Sequence, residues 1–201
     1  MKIIENTFKN PYEIRKVALS LDYVTCNTLS WPGYRVDLPE PIRSQYFSII
    51  KKQFNDVDRI KSAYFQYIDE SWISGSCHYD ETKYTCITFL NTETQINSGL
   101  EIYDEKYSCH KDRKLIDIFN PIKEKFYSSE KNVIQKILFK QRLKQYNSQF
   151  KDPCIISNKF NRTIGFKSEK MHRAQDFFGT KKSNSRLTLV SFLVWLLNCP
   201  P

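Results

Sequence analysis

Residues 78–104, HYDETKYTCITFLNTETQINSGLEIYD, join an H-x-D pair to two β-strand patterns. Residues 84–90 are rich in β-branched and aromatic side chains and predict one strand, and residues 100–103 predict another after a turn signal. In an extended chain, side chains two positions apart point to the same side, so His78 and Asp80 face the same way. The stretch therefore predicts a β-rich core with two potential metal ligands at the start of a strand.

Further strand and helix patterns lie on both sides of this stretch. The further predicted strands are residues 63–68, 161–166 and 187–197. Asn10 and Pro11 begin a predicted helix, as cap and first-turn residues, and a second helix follows Pro39. Residues 118–150 interrupt the strands with a helical pattern. Helices, strands, a helical insertion and more strands predict an α+β fold, a jelly roll backed by N-terminal helices.

Length, composition and charge fit one globular domain. The chain has 201 residues, of which 40% are hydrophobic and 14% aromatic, and it carries a net charge of +9. Residues 111–151 hold eleven Lys plus Arg against four Asp plus Glu, so this segment supplies most of the positive charge. A basic segment attracts nucleic acid, membranes or acidic substrates, and a solvated helix face accounts for it equally well.

No membrane or disulfide framework is expected. The N-terminus lacks the apolar core and cleavage site of a signal peptide, and the most apolar stretch, residues 187–197, is too short to cross a bilayer. The six cysteines contain no C-x-x-C pair, which argues against a thiolate zinc cage, so most are expected to be buried. We therefore expect a soluble, cytoplasmic protein.

The chain has three histidines, and two of them suit a metal site. Taken alone, an H-x-D pair is more often a hydrogen-bonded surface couple than a ligand pair. His172 supplies a third ligand if a later strand faces His78 and Asp80. Two imidazoles and one carboxylate leave three coordination positions open, which is the arrangement of non-haem iron(II) oxygenases. His110 lies in a polar stretch and is expected at the surface.

An arginine in an apolar strand indicates an anion site. Arg186 opens the strand of residues 187–197, and a buried guanidinium is costly unless it meets an anion. A guanidinium grips a carboxylate with two parallel hydrogen bonds, which suits one end of 2-oxoglutarate. Thr188 lies two residues on and faces the same way. The alternative is a strand-end arginine that extends to solvent.

Taken together, these motifs resemble the prolyl-hydroxylase-like branch of the Fe(II)- and 2-oxoglutarate-dependent oxygenases. The matching segments, in family order, are H-x-D at 78–80, YTCITFLN at 84–91, SGLEIYD at 98–104, NRTIGF at 161–166, His172 and Arg186-Leu187-Thr188. The resemblance implies a double-stranded β-helix, a cupin-like jelly roll, with Fe(II), 2-oxoglutarate and O2 as cofactors.

The resemblance also implies roles for individual residues. His78, Asp80 and His172 would be the catalytic metal ligands, Arg186 would bind the distal carboxylate of 2-oxoglutarate, and Thr188 would assist it. Some members have a tyrosine where this chain has Phe89, and the expected substitutes are Thr88, Tyr67 or Tyr64. Asp80 also argues against halogenation, because the halogenating branch lacks the carboxylate ligand.

One oxygenase domain is expected over residues 1–201. Residues 1–62 would form the N-terminal helical support, residues 63–104 and 155–198 the β-helix core, and residues 105–154 the basic helical insertion. The insertion is the expected lid and specificity element over the iron.

The predicted reaction is hydroxylation of a second substrate with release of succinate and CO2. A peptidyl residue, a free amino acid and a small metabolite all remain open as substrates. Nucleic-acid dealkylation is the second alternative, although residues 187–197 lack the second arginine usual in that branch, and a catalytically silent jelly-roll binding protein is the third. We expect 2-oxoglutarate as the small-molecule partner, with neither nucleic acid nor membrane, and no pattern specifies the oligomeric state.

Overall fold

The computed structural model describes residues 1–25, 32–93, 95, 97–103, 110–127 and 132–195, with no side-chain description for residues 110–113. The described helices are α1 Pro11–Ser20, α2 Glu40–Lys51, α3 His110–Tyr127 and α4 Val133–Asn147, with a 3-10 turn at Glu70–Trp72. The strands are β1 Lys2–Ile4, β2 Val24–Thr25, β3 Tyr34–Asp37, β4 Arg59–Ile68, β5 Tyr84–Phe89, β6 Leu100–Ile102, β7 Cys154–Ile156, β8 Thr163–Lys167, β9 His172–Ala174 and β10 Arg186–Val194.

Two antiparallel sheets form the β-structure. The large sheet has seven strands in the order β1-β8-β5-β10-β4-β3-β2, and the small sheet has the order β7-β6-β9. Isolated bridges between Ser74 and Asp176 and between His78 and His172 extend the small sheet on the far side of β9. The molecule is thus a mixed helix and sheet structure built around a large antiparallel sheet, consistent with the predicted jelly roll.

The central strand β10 separates two packed layers. Its first eight residues are all buried, because side chains alternate between the two faces of the sheet and both faces are covered. On one face, Leu187 and Leu189 pack with Phe65 against the helices α1 and α2. On the other face, Val190 and Phe192 join the buried apolar residues of the small sheet. The second face is the one that carries the candidate site.

The helices α3 and α4 pack together through aromatic rings. Phe126 and Phe139 stack with ring centroids 3.8 Å apart, and Phe119 and Tyr146 stack at 4.2 Å. This cluster extends to Cys77, next to the first predicted metal ligand. Helix α4 begins with a capping box in which the side chain of Asn132 and that of Gln135 each bond the other residue's backbone, satisfying two N–H groups at the helix start.

Several sequence predictions are confirmed and others need correction. The predicted helices appear as α1 and α2, although Asn10 makes no side-chain cap bond. The helical stretch predicted at residues 118–150 is instead two helices, and the first begins at His110 and contains Pro121. The short strands β2, β3, β7 and β9 were not predicted, because two to four residues carry too little periodicity.

The apolar side chains of residues 133–150 fall into two groups. Val133, Ile134, Ile137 and Leu138 are 51–72% exposed, whereas Phe139, Leu143, Tyr146 and Phe150 are buried. Most of the six cysteines were expected to be buried. Cys77 and Cys86 are buried and Cys154 is exposed, while Cys26, Cys109 and Cys199 lie outside the described residues. The side chain of His110 also lies outside the described part of the structure. No helix in the described part of the chain is both long and apolar enough to cross a bilayer.

Candidate metal centre

The two predicted histidine ligands are backbone partners. The N–H of His78 donates to the carbonyl of His172 at 2.9 Å, and the N–H of His172 donates to the carbonyl of His78 at 2.8 Å. Residues paired in this way present their side chains on the same side of a sheet. The imidazole rings accordingly lie 4.4 Å apart between centroids.

Each imidazole is oriented by a backbone carbonyl. His78 Nδ1 lies 2.9 Å from the carbonyl oxygen of Ser76, and His172 Nδ1 lies 2.9 Å from that of Lys170. A carbonyl only accepts hydrogen bonds, so each Nδ1 carries a proton, which leaves Nε2 as the ring nitrogen available to a metal. This is the tautomer of a histidine that binds a metal through Nε2.

Asp80 completes the cluster at a buried position. Its Oδ2 lies 3.3 Å from His172 Nε2, and its Oδ1 lies 3.9 Å from His78 Nε2. Thr85 donates to Oδ2 at 2.6 Å and contacts the hydroxyl of Ser168, which holds the carboxylate in place. The other oxygen, Oδ1, is buried and has no hydrogen-bond partner. A buried carboxylate oxygen is costly without a partner, and a bound cation would satisfy it.

The electrostatics of the cluster favour the metal-binding protonation states. Burial lowers the pKa of His78, and the nearby His172 lowers it further, to about 4. Burial acts to raise the pKa of Asp80, but the two histidines and the Thr85 hydroxyl outweigh it, and the pKa falls to about 2. At neutral pH, His78 is therefore neutral and Asp80 is charged, as ligation requires.

One ligand atom from each of His78, Asp80 and His172 lies within 4.8 Å of the other two. Two imidazole nitrogens and a carboxylate oxygen at this spacing surround a position suited to a divalent first-row metal. With three protein ligands on one side, coordination positions on the other side stay open to small molecules. The donor set therefore fits a catalytic divalent metal, and iron(II) is among the metals that it suits.

Arg186, the predicted anion-binding residue, is buried on the sheet face that is turned toward the triad. It is 2% exposed, and its Nη1 donates to the carbonyl oxygens of Ser98 and Gly99, the latter at 3.1 Å. Burial lowers its pKa to about 10, so the group still carries its charge at neutral pH. None of the described carboxylates forms an ion pair with it. A buried guanidinium is destabilising unless an anion compensates its charge, so this position favours binding of an anion.

Asn91 fixes the backbone on both sides of Arg186. Its amide nitrogen donates to the carbonyl of Ser185 at 2.7 Å, and its oxygen accepts from the N–H of Leu187 at 2.9 Å. Thr188 lies on the same face as Arg186, two residues along the strand, and is also buried. The backbone that carries Arg186 is therefore held in place by Asn91.

One cavity connects the two parts of the site. It lies between the large and small sheets, and its lining includes the triad His78, Asp80 and His172 together with Arg186 and Thr188. Its walls are mostly apolar, with Ile87, Leu100, Val190 and Phe192 among them. The triad and the guanidinium therefore line the same enclosed space between the two sheets.

Several solved structures resemble this chain in fold, and their descriptions name an alpha-ketoglutarate-dependent enzyme, a 2-oxoglutarate complex or a hydroxylase. SnoN, a non-heme alpha-ketoglutarate-dependent epimerase from nogalamycin biosynthesis, aligns with a TM-score of 0.61 at 7% identity over 96% of this chain and 76% of its own. HygX from Streptomyces hygroscopicus, solved with nickel, 2-oxoglutarate and hygromycin B, aligns at 0.61 and 11% identity over 97% and 82%. A Pseudomonas putida prolyl-4-hydroxylase aligns at 0.56 and 9% identity over 96% and 91%.

The chain has the fold of the Fe(II)/2-oxoglutarate oxygenases. No protein-family model and no curated protein matches the sequence. The likeness therefore lies in the three-dimensional arrangement, and fold alone does not prove chemistry.

Within this oxygenase fold, two expected co-substrate contacts lie elsewhere. Thr88 faces the helices, where its hydroxyl contacts those of Thr163 at 2.6 Å and Tyr46 at 3.3 Å. Tyr67 also faces away from the cavity and stacks on Tyr34 with centroids 4.5 Å apart. The reason is strand alternation, which places both residues on the opposite face from Arg186 and Thr188.

The cavity face carries three residues that had no predicted role or only an alternative one. Tyr64, the third substitute considered, lines the cavity, and so do Gln66 and Thr85. Thr85 was not expected to orient Asp80. The sequence pattern did contain a sign of this role. Thr85 and Phe89 are four residues apart in β5, so their side chains point to the same face of the sheet. Phe89 stands where some members of the resembled family have a tyrosine. What was missing was the register that brings Thr85 to Asp80.

Proposed function

We propose that this protein is an Fe(II)- and 2-oxoglutarate-dependent dioxygenase that hydroxylates a second substrate and releases succinate and CO2. The observation that carries the proposal is the shared cavity: His78, Asp80 and His172 line one part of it and Arg186 another. The triad alone would suit several metals and reactions. The buried arginine in the same cavity supplies the anion-binding group that 2-oxoglutarate needs.

We further propose that the two facing sheets form the double-stranded β-helix of these enzymes. The bridges at Ser74 and His78 support this, because they add a fourth extended segment to the small sheet. The domain assignment follows, with residues 63–104 and 155–198 as core. Strand β4 begins at Arg59, so the core starts a few residues before that boundary.

His78, Asp80 and His172 would hold the iron, which when bound supplies the activation of dioxygen. Thr85 keeps Asp80 oriented, and the carbonyls behind both histidines keep their Nε2 lone pairs directed inward. Arg186, with Thr188 beside it, would bind the distal carboxylate of 2-oxoglutarate. The apolar walls of the cavity exclude water from the reacting groups.

The second substrate is proposed to approach through a depression beside the triad. Its lining includes His78 and Asp80 together with Asn120 and Lys123 of α3 and Lys61 of β4. Because α3 belongs to the insertion, residues 105–154 would contribute to substrate selection, in line with the expected lid. A peptidyl residue, an amino acid and a small metabolite all remain candidate substrates.

Hydroxylation is the outcome we favour, although the same fold supports others. A prolyl-4-hydroxylase shares the fold, and so do SnoN, described as an epimerase, and SnoK, described as a carbocyclase. All three outcomes would use the same metal and co-substrate site, so the experiment that tests the proposal addresses that site first.

An anaerobic titration of the metal-free protein with Fe(II) and then 2-oxoglutarate tests the proposal. The visible charge-transfer band of the iron–2-oxoglutarate chelate should appear in the wild type and be absent in Asp80→Ala. Arg186→Met should require far more 2-oxoglutarate to reach the same band. Asp56→Ala and Arg162→Met are matched controls, since both residues lie in surface ion pairs remote from the cavity. A folded wild type that binds no iron and shows no band would refute the proposal.

A further inference from the structure

The last turn of α4 forms hydrogen bonds with the backbone that leads into His78. The hydroxyl of Tyr146 donates to the carbonyl of Cys77 at 2.6 Å. Asn147 accepts from the N–H of Cys77 at 3.0 Å and donates to the carbonyl of Gly75 at 3.0 Å. Three hydrogen bonds from two consecutive residues of the insertion thus fall on residues 75–77.

The opposite edge of the same segment belongs to the small sheet. There Ser74 bridges Asp176, and His78 bridges His172. A carboxamide presents an acceptor oxygen beside an N–H donor, as does a peptide group of a neighbouring strand. Asn147 therefore takes the place of a further strand, and residues 74–78 are held between β9 on one side and α4 on the other.

This contact is anchored to a rigid part of the insertion. The Tyr146 ring stacks on Phe119 with centroids 4.2 Å apart, and it also packs edge-on against Phe150 at 5.5 Å. Cys77 is itself buried in the same apolar cluster. The hydrogen-bonding groups of α4 are consequently fixed by packing rather than free to follow the backbone of residues 75–77.

We propose that Tyr146 and Asn147 are positioning residues for the metal ligand His78. The inference rests on the proposed function, because it gives His78 the role of ligand. The peptide unit between Cys77 and His78 is hydrogen-bonded at both ends, by Tyr146 at the Cys77 carbonyl and by His172 at the His78 N–H. A small rotation of that peptide would displace the imidazole, whereas metal bonds tolerate only a few tenths of an ångström.

The basic insertion would then have a second role, in addition to that of a lid. Helix α3 borders the approach to the triad, while α4 acts from behind, through the backbone of residues 75–77. Losing α4 would loosen the metal site even where no substrate is present. A lid, in contrast, would affect substrate turnover and leave the affinity for the metal alone unchanged.

The test measures Co(II) binding to the full-length, metal-free protein, by its visible absorption, together with the melting temperature. The variants are Tyr146→Phe, which keeps the stacked ring, and Asn147→Ala. Asn147→Asp retains the acceptor for the Cys77 N–H and serves as the conservative variant. The matched control is Asn132→Ala, which removes the cap at the other end of α4 and so weakens the same helix without touching residues 75–77.

Tyr146→Phe and Asn147→Ala should weaken Co(II) binding by about 10-fold or more and alter the Co(II) spectrum, as other groups that orient metal ligands do. Asn147→Asp should recover part of the loss, and Asn132→Ala should lower the melting temperature with unchanged Co(II) affinity. Equal weakening in all variants, or wild-type affinity in Asn147→Ala, would overturn the inference. No Co(II) binding by the folded wild type would instead refute the proposed function, and the positioning role with it.

Discussion

His78 and His172 exchange both of their backbone hydrogen bonds, at 2.9 and 2.8 Å, although almost half of the chain separates them. The pairing places their rings side by side, and Asp80 lies within 4 Å of both Nε2 atoms. A preformed site of this kind avoids the entropy of ordering three side chains when the metal arrives. The two histidines therefore link the fold of the small sheet to the proposed chemistry.

Thr85→Val should weaken metal binding by about 10-fold, because the hydroxyl that orients Asp80 Oδ2 is lost while the size of the side chain is kept. Isothermal titration with Co(II) measures the effect. Thr88→Val is the matched control on the same strand, since it loses comparable buried hydrogen bonds on the opposite face. Equal metal affinities for the two variants would contradict the assigned role of Thr85.

Arg186→Met should weaken 2-oxoglutarate binding by about 10- to 100-fold. The reason is the loss of hydrogen bonding to a charged group, which contributes about 1.5–3 kcal/mol to binding. Metal affinity should not change, because Arg186 is not a ligand. The free energy of unfolding should change little, since methionine removes a buried charge as well as its bonds to Ser98 and Gly99. Tight 2-oxoglutarate binding in this variant would assign the co-substrate site to other residues.

Gly75→Ala should destabilise the protein by about 1–3 kcal/mol, through overpacking. A β-carbon at Gly75 would lie 2.4 Å from the carbonyl oxygen of Ala174, a backbone atom that cannot move aside cheaply. The melting temperature should fall by several degrees, and metal affinity should fall as well, because the strand that carries His78 must shift. A variant with unchanged melting temperature and metal affinity would show that the two strands separate freely.

Lys123→Met should stabilise the protein most strongly below pH 8. Burial lowers the pKa of Lys123 from 10.5 to about 8, and the side chain is 8% exposed. Between these values the unfolded chain binds the proton more tightly, so the wild type gains stability as pH rises from about 8 to 10.5. Below pH 8, Lys123→Met should raise the free energy of unfolding by up to about 3 kcal/mol relative to the wild type. Above pH 10.5 this difference should vanish.

Urea unfolding at pH 7 and pH 10.5 measures this difference. Lys125→Met is the control, because Lys125 lies on the same helix but is exposed, and its substitution should change stability little at either pH. A gain for Lys123→Met that is the same at both pH values would mean that burial of the charge is not its cause.

The local elements and the types of residue in the site could be predicted from sequence patterns alone. Helical spacing and capping patterns predicted α1 and α2, and runs of β-branched and aromatic residues predicted β4, β5, β8 and β10. The H-x-D pair and the arginine at the start of an apolar strand indicated the residues that are proposed to hold the metal and the anion. These features depend on the chain within a few residues of each position, and there sequence patterns are informative.

Which residues share a face, and which meet across the fold, became apparent from the three-dimensional structure. Tyr67 and Thr88 were plausible contacts until the register of β4, β5 and β10 placed them against the helices. Thr85 and Asn147 acquired roles only because distant backbone segments meet their side chains. A one-residue change in register inverts every side chain of a strand, and long-range pairing depends on packing of the whole chain, so neither is encoded in a local pattern.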